Sequence, residues 1–201
     1  HLSLRRQRQM CIRDSTQPDL ASLEHVPYRT VPDVLDAVES DEVDLGFVPI
    51  ENSIEGTVNF TQDALVFDHD LLIQREVVLD IEHCVLARPG TKLQNVKVLL
   101  SIPVATAQCH VFIRRELPEV EVRAANSTAE AARLVAEDSS DTLAALAPAN
   151  AARIYGLDVL RRNVADHEGN QTRFVVVGKG RIPVRTGNDK TGLVVFQRAD
   201  E

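Results

Sequence analysis

Residues 71–87 form a 17-residue stretch in which nine positions are Val, Ile or Leu, and no other feature limits the fold as much. A strand in a globular protein is usually about five or six residues long. The run is therefore one extended strand or two successive ones, long enough to leave one sheet and join another. On either side of it, short apolar runs alternate with stretches of helical spacing. Such alternation argues an α/β protein with mainly parallel sheets covered on both faces. Two lobes with a cleft between them is the architecture this pattern predicts.

The remaining elements follow from local signals. Val31, Val34, Leu35 and Val38 recur at three and four residues, and Thr30 with Asp33 three later marks the start of that helix. Residues 45–50 (LGFVPI) read as a buried strand. Residues 58–67 read as a helix with Val58, Ala64, Leu65 and Phe67 inward. Beyond a turn at 88–91, strands are expected at 96–102, 120–124, 143–147, 157–164 and 173–177. Helices are expected at 103–117, at 128–137 behind the Ser127–Glu130 capping pattern, and at 148–155, where Gly156 ends the element. A polar Gly/Pro segment, 181–189, precedes one more expected strand at 191–197.

The first fifteen residues, HLSLRRQRQMCIRDS, stand apart. They hold four arginines and one aspartate, leaving 18 basic and 29 acidic residues in the rest of the chain. MCIRDS resembles the translation of a sequencing-library adapter. Residues 1–15 are therefore read as an adapter scar and set aside from the fold. A basic arm for an acidic partner and a targeting peptide are the other readings. The whole chain has net charge −8, the wrong sign for a general nucleic-acid binder. No window of 18 uncharged apolar residues points to a membrane span. Three cysteines at unrelated spacings (Cys11, Cys84, Cys109) imply neither a disulfide framework nor a zinc site, and fit a cytoplasmic protein. The six histidines show no ligand spacing, and phosphate-loop, dinucleotide and serine-hydrolase signatures are absent.

Ligands in such folds gather where strands run into helix N-termini, and four junctions carry polar residues there. The first is residues 49–58, where Glu51, Asn52, Ser53, Glu55, Gly56 and Thr57 follow a buried strand; a capped turn is the plainer reading. The second holds Ser101 at a strand end and Gln108 two helical turns on; the plainer reading is an N-cap and a solvated side chain. The third is Asn126–Ser127–Thr128, either a capping box or a set of amides open to an anion. The fourth is Asn170–Gln171–Thr172–Arg173–Phe174, otherwise the exposed start of a strand. Cys109 lies on an apolar helix and reads as buried.

Taken together, VPIENSIEGTV (48–58), SIPVATAQC (101–109), STAEAA (127–132), IYGLDVL (154–160) and NQTRFVVVG (170–178) resemble the prephenate dehydratase family, in its order. The resemblance implies a two-lobed fold like the type II periplasmic binding proteins, with the active site in the cleft. It implies a catalytic domain over 16–180, with lobe 1 at about 16–78 plus a C-terminal return and lobe 2 at about 79–170. A linker at 181–188 would follow, and DKTGLVVF (189–196) would open an ACT domain that binds phenylalanine, cut off by residue 201. Three departures stand out. A GPxGTF-type loop is missing at the start, Ile102 replaces a usual histidine, and the ACT segment is short, so the chain is expected to be a fragment.

The implied reaction converts prephenate to phenylpyruvate in phenylalanine biosynthesis and needs no cofactor or metal, because aromatisation drives it. Thr172 is implied as the hydroxyl that donates to the departing oxygen. Asn52, Ser53, Ser101, Gln108, Ser127, Thr128, Arg173 and Phe174 are implied as substrate contacts. Glu51, Glu55, Gly56 and Thr57 are implied as support, the two carboxylates orienting neighbours rather than facing a dianion. The resemblance further implies a homodimer or homotetramer for the full-length protein, with phenylalanine acting as effector through the ACT domain. A non-catalytic intracellular amino-acid sensor is the rival reading.

Overall fold

The structure, a computed structural model, describes residues 2–4, 18–180, 182 and 184–195. In chain order its first part comprises β1 (Leu2–Leu4), α1 (Pro18–Ala21), β2 (His25–Pro27), α2 (Val31–Glu39), β3 (Leu45–Asn52), β4 (Gly56–Thr57), α3 (Asn59–Asp63) and β5 (Leu72–Asp80). The second part comprises β6 (Cys84–Ala87), β7 (Val98–Ser101), α4 (Pro103–Ala107), α5 (His110–Glu116), β8 (Glu121–Ala124), α6 (Thr128–Glu137), β9 (Leu143–Ala147), α7 (Ala149–Tyr155) and β10 (Asp158–Arg161). Strand β11 (Gln171–Gly178) closes the series.

Two sheets result. One runs β2-β1-β3-β11-β5 with β4 on β3, and the other runs β10-β6-β9-β7-β8. Of the two readings open for the 71–87 run, the structure takes the second, with β5 in the first sheet and β6 in the second. The chain crosses back through residues 162–170, since β10 lies in the second sheet and β11 in the first. The α/β class and the two lobes agree with the expectation. The parallel bias does not. β1 pairs in parallel with β2 and β3, and β7 with β8 and β9, but β11 runs antiparallel to β3 and β5, and β6 to β9 and β10. Each lobe receives its crossing strand from the other lobe rather than over a helix, so that strand is free to run against its neighbours.

In the first lobe α2 lays Val31, Val34, Leu35 and Val38 on Val48, Val175 and Val177. Its N-terminus is a reciprocal capping box, with Asp33 N donating to Thr30 Oγ1 and Thr30 N donating to Asp33 Oδ2. The helix sits close. A Cβ on Gly46 would stand 2.9 Å from Val177 Cγ2 and 3.1 Å from Val34 Cγ1. The opposite face of the sheet carries Phe47, Val77, Leu79, Phe174 and Val176. In the second lobe α6 and α7 cover one face through Ala131, Ala132, Val135 and Ala151. Ala105, Cys109 and Phe112, from α4, α5 and the two-residue link between them, cover the other. Burying one such Val, Leu or Phe side chain stabilises by about 1.5–3 kcal/mol, so both lobes have cores of their own.

Several local expectations need correction. Residues 58–67 form α3 followed by a π-helix, Ala64–Asp68. The wider turn shifts the helical phase, so Phe67 is 64% exposed although Ala64 is buried. Residues 103–117 are two helices rather than one, because Asp166 caps the second from a distant segment. Its carboxylate accepts from Val111 N at 3.1 Å and Phe112 N at 3.4 Å. Residues 191–195 form no strand, for no described segment offers them a ladder; positions 196 and 197 lie outside the described residues. The first fifteen residues, set aside above, supply β1, which fills the space between β2 and β3. Parallel edges on both sides demand partners for their N–H and C=O groups, and the extended Leu2–Leu4 segment meets that demand. Residues 5–17, with Cys11, lie outside the described residues.

Candidate active site

The two crossings between lobes, residues 81–83 and 162–170, lie beside each other. Ile81 N donates to Asn170 O at 2.7 Å, and Val164 N to His83 O at 2.9 Å. Around them converge the β3–β4 turn from the first lobe and the end of α4 from the second.

The turn is built by Asn52. Its Oδ1 accepts from Ile54 N at 2.9 Å and Glu55 N at 3.0 Å, an Asx turn closed at Gly56, whose φ of 83° suits glycine. Gly56 and Thr57 pair back onto Asn52 and Glu51, so both shape the turn. With its oxygen committed to backbone donors, the Asn52 amide nitrogen must face the other way. It donates to Thr172 Oγ1 at 2.9 Å and to Asn170 Oδ1 at 2.9 Å. Register places these groups together, since Thr172 of β11 sits opposite Asn52 of β3. Ser53 ties the same two segments. Its Oγ donates to Gly169 O at 3.0 Å and accepts from Gln171 N at 2.9 Å.

Gln108 reaches across from the second lobe. It is 9% exposed, which overturns the reading of a solvated side chain. Its Nε2 donates to Glu55 Oε1 at 2.8 Å. Its Oε1 lies 3.0 Å from Asn170 Nδ2 and 2.9 Å from His83 Nε2. Asp166 N donates to Gln108 O at 2.8 Å, so the residue that caps α5 also fixes the Gln108 backbone. Burial holds the His83 imidazole below the usual histidine range, opposed by its bond to Gln108. Cys84 and Cys109 are buried thiols pushed up to about 12 by desolvation, hence unreactive as nucleophiles.

The other expected site residues are placed differently. Ser101 is 1% exposed and donates to Leu146 O at 2.7 Å across the second sheet; Ile102, not Ser101, holds the N-cap position of α4. Ser127 caps α6 by accepting from Glu130 N at 2.9 Å, and Thr128 behind it is buried. These three share the carboxyl ends of β7 and β8, where Ala125 N donates to Ser101 O at 2.8 Å. Phe174 stacks on Phe47 with ring centroids 4.7 Å apart and is 5% exposed, so its ring belongs to the first-lobe core. The Arg173 guanidinium lies 3.4 Å from Glu51 and 3.7 Å from Glu76, which divides its charge between two carboxylates. No three His, Cys, Asp or Glu side chains among the described residues group as metal ligands.

The groups gathered here are amides and hydroxyls from both lobes, all of them able to donate hydrogen bonds. The family model for prephenate dehydratase matches residues 13–181. The chain belongs to the prephenate dehydratase family. It is 38% identical over 156 residues to the prephenate dehydratase of Bacillus subtilis, covering 77% of this chain and 55% of that protein. Among solved structures, the prephenate dehydratase of Arthrobacter aurescens in complex with L-Phe superposes with a TM-score of 0.80 at 31% identity, covering 92% of this chain and 62% of that one. A protein described as a novel type of quorum quenching acylase superposes with a TM-score of 0.74 at 28% identity, covering 92% of this chain and 65% of that one. The chain thus spans little more than half the length of the Bacillus subtilis prephenate dehydratase.

His83, Asn170 and Asp166 were not legible as site residues from spacing. Asn170 lies in the fourth junction, but nothing in the sequence pairs it with Gln108, 62 positions earlier. His83 interrupts an apolar run and looks like a strand break.

Proposed function

We propose that the chain carries prephenate dehydratase activity, a carbon–oxygen lyase reaction converting prephenate to phenylpyruvate in the cytoplasm. The observation that carries this reading is the Thr172 hydroxyl at the lobe junction, accepting from Asn52 Nδ2 at 2.9 Å. A hydroxyl whose oxygen accepts a hydrogen bond keeps its own proton to donate, and the incoming bond strengthens that donation.

In the reaction the bond from the ring carbon to the ring carboxylate breaks, and its electron pair enters the ring. The carbon–oxygen bond opposite breaks with it, and the departing hydroxide takes one proton to become water. The products are phenylpyruvate, carbon dioxide and water. Thr172 donates to the departing oxygen; a threonine is a weak acid, sufficient where aromatisation already drives departure. Gln108 Nε2 has two hydrogens, and Glu55 accepts one; the second serves a substrate carboxylate. Ser127 and Thr128, with the amides at the start of α6, hold the far end of the dianion; Ser101, whose proton goes to Leu146 O, takes no part in it. Arg173 adds positive charge, and Glu51 and Glu55 orient donors.

The catalytic domain on this reading is 16–180, followed by a linker at 181–188 and the opening of an ACT domain at 189–201. In the complete protein that domain takes phenylalanine as effector and supports a dimer or tetramer. Phenylpyruvate formation from prephenate by the purified chain tests the reading. Binding of prephenate or phenylalanine without turnover would move the chain to the sensor class. Hydrolysis of an acyl amide with prephenate untouched would move it to the acylase.

A further inference from the structure

The amides at the lobe junction form one chain of donors whose direction is fixed from both ends. At one end, backbone N–H groups can only donate, so Asn52 Oδ1 faces Ile54 and Glu55 and Asn52 Nδ2 faces Asn170 Oδ1. Asn170 Nδ2 must then face Gln108 Oε1. At the other end, an ionised carboxylate can only accept, so Gln108 Nε2 faces Glu55 and its Oε1 faces inward. The two deductions meet at the same Asn170–Gln108 bond and agree. His83 Nε2, 2.9 Å from that oxygen, must therefore carry a proton. Its Nδ1 is buried with no hydrogen-bond partner among the described residues, which fits a neutral ring with the proton on Nε2.

We propose that His83 and Asn170 are positioning residues that lock the Gln108 carboxamide with its Nε2 toward the cleft, and that Asn170 also holds the Asn52 amide on Thr172. The proposal rests on the dehydratase reading and adds two residues to it. Neither residue needs to touch substrate. Each supplies a hydrogen to Gln108 Oε1, and Gln108 in the opposite flip would present its oxygen to Glu55 and to the substrate dianion. Two donors on one acceptor make that flip unfavourable. His83 adds a geometric role, for it sits in one crossing between the lobes while Asn170 sits in the other. The lock therefore joins both hinge segments to the site.

The test combines kinetics with ¹⁵N NMR of the chain. His83→Leu removes the donor, whereas His83→Gln keeps a nitrogen donor near the Nε2 position. Asn170→Ala removes the link to both neighbours. His83→Leu and Asn170→Ala are expected to lower kcat for prephenate by about tenfold or more, with a smaller change in KM. His83→Gln is expected to recover most of the loss. NMR is expected to show His83 protonated on Nε2 and neutral at about pH 6.5, and the Gln108 side-chain amide signals shifted in His83→Leu but not in His83→Gln. Equal turnover in His83→Leu and wild type, or a proton on Nδ1, overturns the proposal. Should the wild-type chain form no phenylpyruvate, the dehydratase reading fails, while the tautomer and amide signals still decide whether the lock exists.

Discussion

At the scale of single residues, the site depends on which atoms are left uncommitted once backbone and core have taken theirs. Asn52 spends its oxygen on its own turn and so has only hydrogens to offer Thr172. Ser101 gives its proton to Leu146 and retains only acceptor capacity. His83 is the buried titratable group of this network, and it carries a pH consequence. Burial lowers its folded value below that of an unfolded histidine. Unfolded chains then bind more protons than folded ones below about pH 6.5. The contribution to stability is present above that pH and is lost as pH falls. Urea unfolding of the wild type is expected to weaken between about pH 7 and 5.5. His83→Gln, which cannot titrate, should give a flatter profile over that window; parallel profiles would contradict the assignment. The Glu39 carboxyl, held below its usual range by His69, acts in a lower window near about pH 4.5 and below, so the two are separable.

At the scale of elements, the sequence patterns were legible wherever an element completes itself locally. The α2 capping box and the Ser127 cap of α6 both follow from neighbours within a few positions. Elements set by distant partners were not legible. The break between α4 and α5 exists because Asp166, 55 positions on from Val111, caps the second helix, with its own side chain 7% exposed. The antiparallel course of β11 has the same character: the strands that decide it, β3 and β5, are far away in the chain. Asp166→Ala should leave the α5 amides unpaired and cost about 2 kcal/mol. Asp166→Asn should cost less, since one oxygen remains. A fall in the urea midpoint with unchanged slope measures this, and an unchanged midpoint for Asp166→Ala would remove the cap from the account. The bond from Asp166 N to the Gln108 carbonyl is a main-chain bond that the same variant keeps.

At the scale of the whole molecule, two lobes with separate cores meet along two crossing segments, and the polar network lies where they meet. Residues 52, 108 and 172 were legible as site residues through the strings that carry them, and the fold brings them within hydrogen-bond reach of one another or of one shared neighbour, Asn170. Phe174 was equally visible in the same string, yet it stacks on Phe47, because alternation along β11 and a register shift after Arg173 turn it into the core. Strings show that residues travel together, but not which face each one takes. The central claim is that the hydroxyl of Thr172, polarised by Asn52, assists departure of the ring oxygen. It is tested most directly by the turnover of prephenate to phenylpyruvate in wild type, Thr172→Ala and Thr172→Ser. The account predicts a loss of at least about tenfold, or 1.4 kcal/mol of transition-state stabilisation, for the alanine variant and a smaller loss for serine. Wild-type turnover in Thr172→Ala would contradict it.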